Sequence, residues 1–169
     1  MTRYDFRLVV DDDMQMLRDW LARPHVAEWW DDDDDDPLDE DIPEGGDIRK
    51  WVVSLDGEPI AYLQDYRVHA WDDHPFSFLD PGARGIDMYI GPADFIGCGH
   101  GSAMVRQHAL RLIDEGAPQV AIDPHPDNIR AVRAYENAGF EIVGPARNSP
   151  WGRFVPMVFR GAAPSDAGT

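Results

Sequence analysis

Cysteine and long apolar segments are scarce in this sequence. Cys98 is the only cysteine among 169 residues, which excludes an internal disulfide and agrees with a reducing compartment. No apolar run approaches the roughly 18 residues that a membrane-spanning helix needs. The N-terminus also lacks the basic segment, apolar core and small-residue cleavage site of a secretory signal. These absences predict a cytoplasmic protein with no membrane partner.

Positive charge is scarce as well. The chain has 15 Lys and Arg against 32 Asp and Glu, a formal net charge of −17. A field of this sign repels nucleic acid and concentrates cations. We therefore expect no nucleic-acid partner, and the functional interpretation of the charge is a cationic substrate, although acidic chains are also common for other reasons. Six of the charges form an unbroken Asp run at residues 31–36, which either adds to this field or is only a solvated loop.

Chain length and composition fit a single domain. With 43% hydrophobic residues, a chain of 169 residues can bury one sizeable core. We place this domain at residues 1–160, with an acidic loop at 31–47, and expect the small, polar tail at 161–169 to be disordered. A monomer and a homodimer both remain open. The six histidines are scattered without the spacing of metal ligands, so no metal site is predicted.

Hydrophobic periodicity predicts a mixed arrangement of helices and strands, of the α/β or α+β class. Asp56-Gly57, between two apolar runs, predicts the tight turn of an antiparallel hairpin. Acidic residues at 11–13 offer an N-cap for the first helix. Residues 67–84 lack any period and predict a long functional loop. The predicted helices cover 14–21, 25–30, 99–115 and 128–138, and the predicted strands cover 4–10, 51–55, 59–66, 85–90, 120–122, 140–143 and 154–159.

Alternating glycines form the sharpest local motif, Ile96-Gly97-Cys98-Gly99-His100-Gly101-Ser102. The motif follows a predicted strand and opens a long helix, so its backbone can approach a ligand and its amides can bind phosphate oxygens. A diphosphate suits such a loop. The lysine and hydroxyl of a nucleoside triphosphate site are missing, and a dinucleotide fold would carry the glycines after its first strand. Taken alone, the motif fits a structural turn equally well.

A second motif changes that balance. It begins with Asp123-Pro124-His125-Pro126-Asp127-Asn128, continues through a helix containing Tyr135, and closes with Gly139-Phe140. The Asn at the helix start, the Tyr two turns later and the closing Gly-Phe resemble GNAT acetyltransferases, and both motifs occur in that family's order. Three further segments resemble the aminoglycoside 6'-N-acetyltransferases: His25-Val26-Ala27-Glu28-Trp29-Trp30, Gly57-Glu58-Pro59-Ile60-Ala61-Tyr62 and Asp80-Pro81-Gly82-Ala83-Arg84-Gly85-Ile86-Asp87. The resemblance covers roughly residues 4–160.

This resemblance implies a GNAT fold, in which helices flank a central mixed, mostly antiparallel sheet whose middle strands splay apart. It also implies acetyl-CoA (coenzyme A) as the cofactor, with the pyrophosphate on the glycine loop and the pantetheine arm along the preceding strand. The implied cofactor-binding residues are Ile86, Met88, Tyr89, Ile90, Gly97, Cys98, Gly99, His100, Gly101, Ser102, Asn128 and Tyr135. One departure is Ile96, where the family usually has Arg or Gln. Because the phosphate contacts are mostly to backbone amides, this weakens the signature more than the binding.

The resemblance also implies how the chemistry is divided. An amine attacks a thioester only in its neutral form, so a nearby carboxylate must accept a proton. Asp87, the only charge in its apolar strand, is the candidate, and Tyr135 is implied near the sulfur as a proton donor. The expected reaction is N-acetylation of an aminoglycoside-like amine by direct attack in a ternary complex. A covalent intermediate on Cys98 lacks an identifiable His-Asp pair beside it.

The predicted acceptor side combines aromatic and acidic residues. Its members are Trp29, Trp30, Asp72, Asp73, Asp87 and Asp123. Each also has a structural interpretation: the tryptophans as core residues, the loop aspartates as solvated side chains, and Asp123 as a turn residue. Likewise Asn128 fits an ordinary N-cap, and Tyr135 fits a core position.

Two other functions stay open at this stage. One is an N-acyltransferase acting on a hydroxylysine-type intermediate of siderophore biosynthesis, which Ile90-Gly91-Pro92 somewhat resembles. Those enzymes tend to carry His where this chain has Asp87, which favours the aminoglycoside interpretation. The other is a GNAT domain that binds CoA without turnover, and the presence of Asp87, Asn128 and Tyr135 argues against it.

Overall fold

The chain builds its architecture around a seven-stranded sheet. The computed structural model describes residues 3–30, 48–72, 74–150 and 152–161. Its strands are β1 (Asp5–Leu8), β2 (Ile48–Leu55), β3 (Glu58–Arg67), β4 (Arg84–Ile90), β5 (Val120–Ile122), β6 (Phe140–Ile142), β7 (Arg147–Ser149), β8 (Gly152–Phe154) and β9 (Met157–Phe159). Its helices are α1 (Met14–Leu21), α2 (Pro24–Trp30), α3 (His100–Asp114) and α4 (Ile129–Ala138). These bounds agree with the sequence-based ones to within a few residues, except near the C-terminus.

The sheet is mixed but mostly antiparallel, which confirms the predicted fold class. The strand order is β1-β2-β3-β4-β5-β9-β6, and only β4 and β5 pair in parallel. The predicted acidic loop with its Asp run, residue 73 and residues 162–169 of the tail lie outside the described residues.

The hairpin of β2 and β3 is confirmed. Asp56 and Gly57 form its turn with φ values of 51° and 84°, both in the left-handed region that this tight turn requires. Leu55 then pairs with Glu58 across the turn. The two long strands form the platform on which β1 and β4 pair on either side.

Helices cover both faces of the sheet. On one face, α1 and α2 pack Leu17, Trp20 and Val26 against Tyr62 and Tyr89 of β3 and β4. On the other face, α3 and α4 cover the main core, which includes Met104, Val105, Leu112 and Ala138 together with Leu63 and Ile86. The sheet is therefore buried on both faces.

Several details differ from the sequence-based expectations near the chain reversals. The segment predicted as one strand at 154–159 forms the end of β8 and all of β9. Pro156 lies between them and has no backbone N–H to continue a strand's hydrogen bonding. The small hairpin of β7 and β8 carries no alternating pattern and was not predicted. Asp13 does not cap α1, since its carboxylate instead accepts hydrogen bonds from Arg7 at 2.7 Å and from the Val10 amide at 2.9 Å.

The predicted long loop at 67–84 is anchored by apolar side chains. Its buried side chains pack against Tyr66, Ala121 and Val158 of the seven-stranded sheet and against Phe154 of β8. These buried side chains are Val68, Phe76, Leu79 and Ala83. A single 3-10 turn, Val68–Ala70, follows β3 directly. The segment is therefore a packed extension of the core.

The parallel pair β4 and β5 is short. Only Arg84, Gly85 and Ile86 of β4 pair with β5, opposite Val120, Ala121 and Ile122. Beyond Ile86, β4 continues to Ile90 paired with β3 alone, while β5 ends at Ile122. The middle strands therefore splay, as expected, and leave one edge of β4 without a neighbouring strand.

A buried carboxylate holds the sheet together beneath α3. Asp65 on β3 is fully buried and accepts hydrogen bonds from Trp51 Nε1 at 2.8 Å, His108 Nε2 at 2.7 Å, Arg49 Nε at 2.9 Å and Arg84 Nε at 3.0 Å. Burial alone would raise the pKa of Asp65, but the hydrogen bonds from His108 and Trp51 and the charge of Arg84 outweigh it and hold that pKa well below its usual range. The charged group thus ties β2, β3, β4 and α3 together.

We predict that Asp65→Asn destabilises the protein at neutral pH, because two guanidinium groups then face a neutral amide. The expected loss of unfolding free energy is about 3 kcal/mol, the low end for a broken buried ion pair, since the Arg49 side chain keeps 27% exposure. The folded-state pKa of Asp65 is depressed, so its contribution is present above the unfolded pKa of about 3.9 and declines as the pH falls toward the folded value. Urea unfolding of the wild type and the variant, at neutral pH and at pH ~3, measures this loss and its dependence on pH.

Asp114→Asn is the matched control, because Asp114 is exposed at the end of α3. It should change the unfolding free energy by less than about 0.5 kcal/mol at either pH. A loss in Asp65→Asn that has the same size at both pH values would contradict the electrostatic role.

Candidate active site

The splay between β4 and β5 opens into a cleft that both sequence motifs border. Its walls come from α2, from the free edge of β4, from the glycine motif and from α4. The lining residues are His25, Val26, Trp29, Trp30, Met88, Tyr89, Ile90, Ile96, Gly101, Asn128, Arg130, Ala131, Ala134 and Tyr135. The cleft therefore extends from the N-terminus of α3 along the end of β4 to the start of α4.

The glycine loop presents free backbone donors. In the part of the chain that the structure describes, the amides of residues 97–102 donate to no protein acceptor, and Ala103 is the first to do so, to the Gly99 oxygen at 3.1 Å. Gly97 and Gly99 have φ values of 76° and 83°, and a Cβ added at either would meet no atom within 4 Å. Glycine is thus required by backbone conformation, and the space beside the loop is open. Consecutive free amides at a helix N-terminus fit a pyrophosphate.

The side chains of this loop are directed elsewhere. The His100 ring accepts or donates at Nδ1 to the Tyr4 hydroxyl at 2.7 Å and so anchors the start of α3 to the segment before β1. The Cys98 thiol is exposed and lies near the backbone oxygens of Asp94 and Ile96, at 3.8 and 3.6 Å. Of the loop residues, only Ile96 and Gly101 line the cleft itself. The predicted contribution of residues 97–102 to cofactor binding therefore depends on their backbone.

Only some of the cofactor-binding residues predicted on β4 lie at its free edge. Met88, Tyr89 and Ile90 lie beyond the last β5 pair and line the cleft. Ile86, although predicted at the cofactor, pairs with Ile122 and is fully buried, because the two strands diverge only after this pair. His25 of α2 donates a hydrogen bond from Nε2 to the Ile90 oxygen at 3.0 Å and so holds the C-terminal end of β4.

Two carboxyl groups meet where the strands diverge. Asp87 and Asp123 follow the last pair, Ile86 with Ile122, and a hydrogen bond joins them in which Asp123 donates. Burial raises the pKa of Asp87, and the hydrogen bond from Asp123 opposes that rise. Burial raises the pKa of Asp123 well above its usual range, and the nearby charge of Asp87 adds to the rise. The pair therefore retains a proton at pH values where two separate carboxyl groups would have lost both of theirs.

Tyr135 reaches the same point from α4 on the other face of the sheet. Its side chain is 8% exposed and lines the cleft. Burial raises the pKa of Tyr135, and the negative charges of Asp87 and Asp123 raise it further. The phenol therefore keeps its proton across the physiological range and can act as a donor.

The other predicted residues have mixed positions. Trp29 and Trp30 line the cleft; Trp30 also packs edge-on against Tyr62 and Tyr89, with ring centroids 6.2 and 5.0 Å away. Asn128 lines the cleft and is at the same time the N-cap of α4, accepting from the Ala131 amide at 3.2 Å.

Of the two predicted loop aspartates, the structure describes only Asp72, which does not lie at the cleft. Asp72 is exposed on the segment that follows β3, and no cleft-lining residue comes from that segment. Asp73 lies outside the described residues.

Sequence reasoning missed three residues at the site. Gln64 donates from Nε2 to Asp87 Oδ2 at 3.0 Å, and Tyr62 donates to Gln64 Oε1 at 2.7 Å. Both lie on the strand that was predicted at residues 59–66, but its pairing with the strand that carries Asp87 cannot be read from the sequence. The third is His25, which begins one of the segments that carry the family resemblance but was not singled out as a site residue.

Two absences complete the description of the site. Within residues 3–30, 48–72, 74–150 and 152–161, no helix is long and apolar enough to cross a bilayer. In the same ranges, no three His, Cys, Asp or Glu side chains are grouped as a metal ion would require.

Comparisons with known proteins identify the architecture. The GNAT acetyltransferase domain matches residues 9–147. The chain belongs to the GNAT acetyltransferase family. It is 35% identical to aminoglycoside N(6')-acetyltransferase type 1 of Klebsiella pneumoniae over 166 residues, covering 90% of this chain and 80% of that protein. This family confirms the predicted enzyme class, an acetyltransferase.

The chain is also similar to a solved structure and to a more distant relative. Aminoglycoside acetyltransferase AAC(6')-Ib in complex with coenzyme A and kanamycin superposes with a TM-score of 0.82, at 32% identity, over 99% of this chain and 100% of that one. The lysine N-acyltransferase MbtK of Mycobacterium sp. (strain MCS) is 26% identical over 141 residues, covering 79% of this chain and 57% of that protein.

We predict that Gly99→Val abolishes acetyl-CoA binding. Valine is strained at a φ of 83°, and its branched side chain would occupy the open space beside the loop that the pyrophosphate needs. Saturating acetyl-CoA should raise the melting temperature of the wild type, because a ligand at a hundred times its Kd stabilises by about 2.7 kcal/mol. Thermal-shift measurements should give no such increase for the variant.

Gly116→Val serves as the matched control at the opposite end of α3. Gly116 has a φ of 105° and open space around its Cα, so the backbone strain is comparable. Both variants should melt lower than the wild type without ligand, but only Gly99→Val should lose the shift. An equal ligand shift in all three proteins would reject the glycine loop as the cofactor site.

Proposed function

We propose that this protein transfers the acetyl group of acetyl-CoA to the 6'-amine of an aminoglycoside, by direct attack in a ternary complex. The observation that carries the proposal is the carboxyl pair of Asp87 and Asp123, which interacts electrostatically with Tyr135, a residue that lines the cleft beside the glycine loop. Bound acetyl-CoA supplies an activated thioester. The protein's own groups hold it, receive the amine and move the protons.

Backbone groups hold the cofactor in this proposal. The amides of residues 97–102 bind the pyrophosphate, and the unpaired edge of β4 at Met88–Ile90 hydrogen-bonds the pantetheine arm. The free donors of the loop and the absence of a strand beside this edge, within the described residues, support the assignment. Asn128 borders the same cleft while it caps α4.

The carboxyl pair receives the amine. Asp87 Oδ accepts the proton of the incoming ammonium, which leaves the neutral nitrogen free to attack. Asp123 supplies a second carboxyl whose proton can be displaced when the cation arrives, because a positive charge lowers the pKa values of both acids. A raised pKa for Asp87 makes it a stronger base than an ordinary carboxylate, so transfer should increase as the pH rises through its titration.

Tyr135 provides the second proton. Its phenol stays protonated because burial and the two carboxylates raise its pKa, and Oη can donate to the sulfur as the thiolate leaves. Burial of Tyr135 also limits the access of water to the reacting atoms.

The acceptor is proposed from charge and ring chemistry. Relatives that carry aminoglycoside acetyltransferase names align over most of the chain, and aminoglycosides are polycations. The net charge of −17 attracts such molecules, while Trp29 and Trp30 present aromatic surface at the cleft.

The likeness to a lysine N-acyltransferase supports a second candidate, acylation of a hydroxylysine-type amine. That relative is more distant, and Asp87 stands where such enzymes tend to carry His.

A thiol-release assay with acetyl-CoA decides between the two candidate functions. We predict turnover with kanamycin and ribostamycin, none with an aminoglycoside that bears a 6'-hydroxyl, and little with hydroxylysine or polyamines. Turnover with hydroxylysine alone would favour the second candidate, and no turnover with any acceptor would favour a non-catalytic domain.

We predict that Asp87→Asn folds, binds acetyl-CoA and loses about a hundredfold or more in kcat, because the proton acceptor is removed. Asp123→Asn keeps a hydrogen-bond donor toward Asp87, so it should lower kcat far less and mainly raise the acceptor KM. Steady-state kinetics across pH measures both. Near-normal turnover of Asp87→Asn at every pH would show that solvent takes the proton.

We also predict that the acceptor KM rises with salt, because added salt shortens the screening length to about 10 Å or less and weakens the attraction of a polycation. Kinetics with kanamycin at increasing sodium chloride measures the slope. A variant without residues 31–36 tests the Asp run. A shallower dependence of KM on salt would assign the run a role in attracting the acceptor. An unchanged dependence would assign the effect to the remaining acidic residues, Asp87 and Asp123 among them.

A further inference from the structure

A polar chain runs through the aromatic packing behind Asp87. Tyr62 is fully buried and donates its hydroxyl hydrogen to Gln64 Oε1 at 2.7 Å. Gln64 is 2% exposed and donates from Nε2 to Asp87 Oδ2 at 3.0 Å. The three side chains lie on the α1 and α2 face of two adjacent strands, because Gln64 pairs directly with Asp87 and Tyr62 precedes Gln64 by two positions.

The order of these bonds fixes the orientation of the Gln64 amide. One end of an amide group only donates and the other only accepts. With the Tyr62 hydroxyl at Oε1, the NH₂ end must face Asp87. The reverse orientation would turn the amide oxygen toward the carboxylate, so it is excluded while Asp87 is ionised. The Tyr62 hydroxyl, which can donate or accept, donates to Oε1 in the orientation seen.

This orientation acts on the charged form of Asp87. A donor that faces a carboxylate stabilises its ionised state, and in this site Gln64 opposes the effect of burial. The other titratable groups around Asp87 are Asp123 after β5, whose hydrogen bond also lowers the pKa of Asp87, and Tyr135 on α4. From α2, His25 is bound to the Ile90 oxygen at the far end of β4. Gln64 is therefore the neutral donor that Asp87 receives from its neighbouring strand.

We propose that Gln64, oriented by Tyr62, is a positioning residue that keeps the Asp87 carboxylate ionised and aimed into the splay between β4 and β5. The proposal rests on the proposed function in so far as Asp87 is the group that accepts the amine proton. Neither Gln64 nor Tyr62 takes part in the transfer itself. Their effect is to set the pH at which Asp87 can act.

The direct test is the titration of Asp87 in the free protein. Proteins with ¹³C-labelled Asp carboxyls are followed by NMR across pH, and the Asp87 signal is assigned with Asp87→Asn. Gln64→Met keeps the length of the side chain and removes the amide. It should raise the Asp87 midpoint by about one pH unit, the size expected from one lost hydrogen bond to a charged group.

Tyr62→Phe removes only the hydroxyl that orients the amide. It should move the Asp87 midpoint in the same direction by a smaller amount. Because Tyr62 acts through Gln64, the double variant should titrate like Gln64→Met alone. If Gln64→Met does not fold, the single change at Tyr62 still tests the chain.

Tyr89→Phe is the matched control for this titration. Tyr89 is also buried and stacks on Tyr62 at 5.3 Å, but its hydroxyl donates to the Leu17 oxygen at 3.3 Å. Its removal should leave the Asp87 midpoint unchanged. An equal shift in Tyr89→Phe would mean that the Tyr62 effect comes from general loosening of the aromatic cluster, and it would overturn the proposal.

Kinetics with kanamycin supply the second measurement. The acid limb of kcat/KM should move to higher pH by the same amount as the NMR midpoint, with kcat recovering at high pH in both variants. A loss of kcat that is equal at every pH would contradict the positioning role, as would an unmoved NMR midpoint in Gln64→Met. If the midpoints move as expected but the wild type acetylates no amine, the proposed function fails and the positioning role stands.

Discussion

The divergence of β4 from β5 after three residue pairs is the constraint on which the rest of the structure depends. A central strand normally satisfies both of its edges within the sheet, whereas β4 satisfies only one beyond Ile86. The free edge needs hydrogen-bonding partners from outside the sheet. The same divergence leaves Asp87 and Asp123 side by side with no strand between them, and it lets Tyr135 approach from the opposite face.

The packing around this opening sets its electrostatics. Trp20 lies so close to Gly91 that a Cβ there would overlap its ring, which fixes α1 against the end of β4. Tyr62, Tyr89 and Trp30 extend the same aromatic layer toward the splay. Such surroundings desolvate the carboxyl pair and hold a proton on it. Side-chain packing, strand geometry and proton affinity are therefore linked at one place in the fold.

Sequence features predicted those regions of the molecule that depend on local conformation or on a family motif. The Asp56-Gly57 turn, the start of α3 at the glycine loop and the Asn128 cap each follow from the requirements of one short segment. The pairing of Gln64 with Asp87 and the burial of Asp65 depend instead on the alignment of distant strands, which composition and periodicity do not encode. The β7 and β8 hairpin escaped prediction because its strands have three residues each and no apolar alternation.

Gln64 and Asp65 are consecutive residues on β3, and they serve opposite faces of the sheet. Displacement of β3 by a single position relative to its neighbours would turn every one of its side chains over, bringing the charged Asp65 into the acceptor cleft and Gln64 among the arginines beneath α3. Trp51 and Arg49 on β2, together with Arg84 on β4, bind Asp65 from both adjacent strands and forbid that slip. The buried carboxylate on the face away from Asp87 therefore fixes the register of β3, and the positions of Gln64 and Asp87 on the opposite face depend on it.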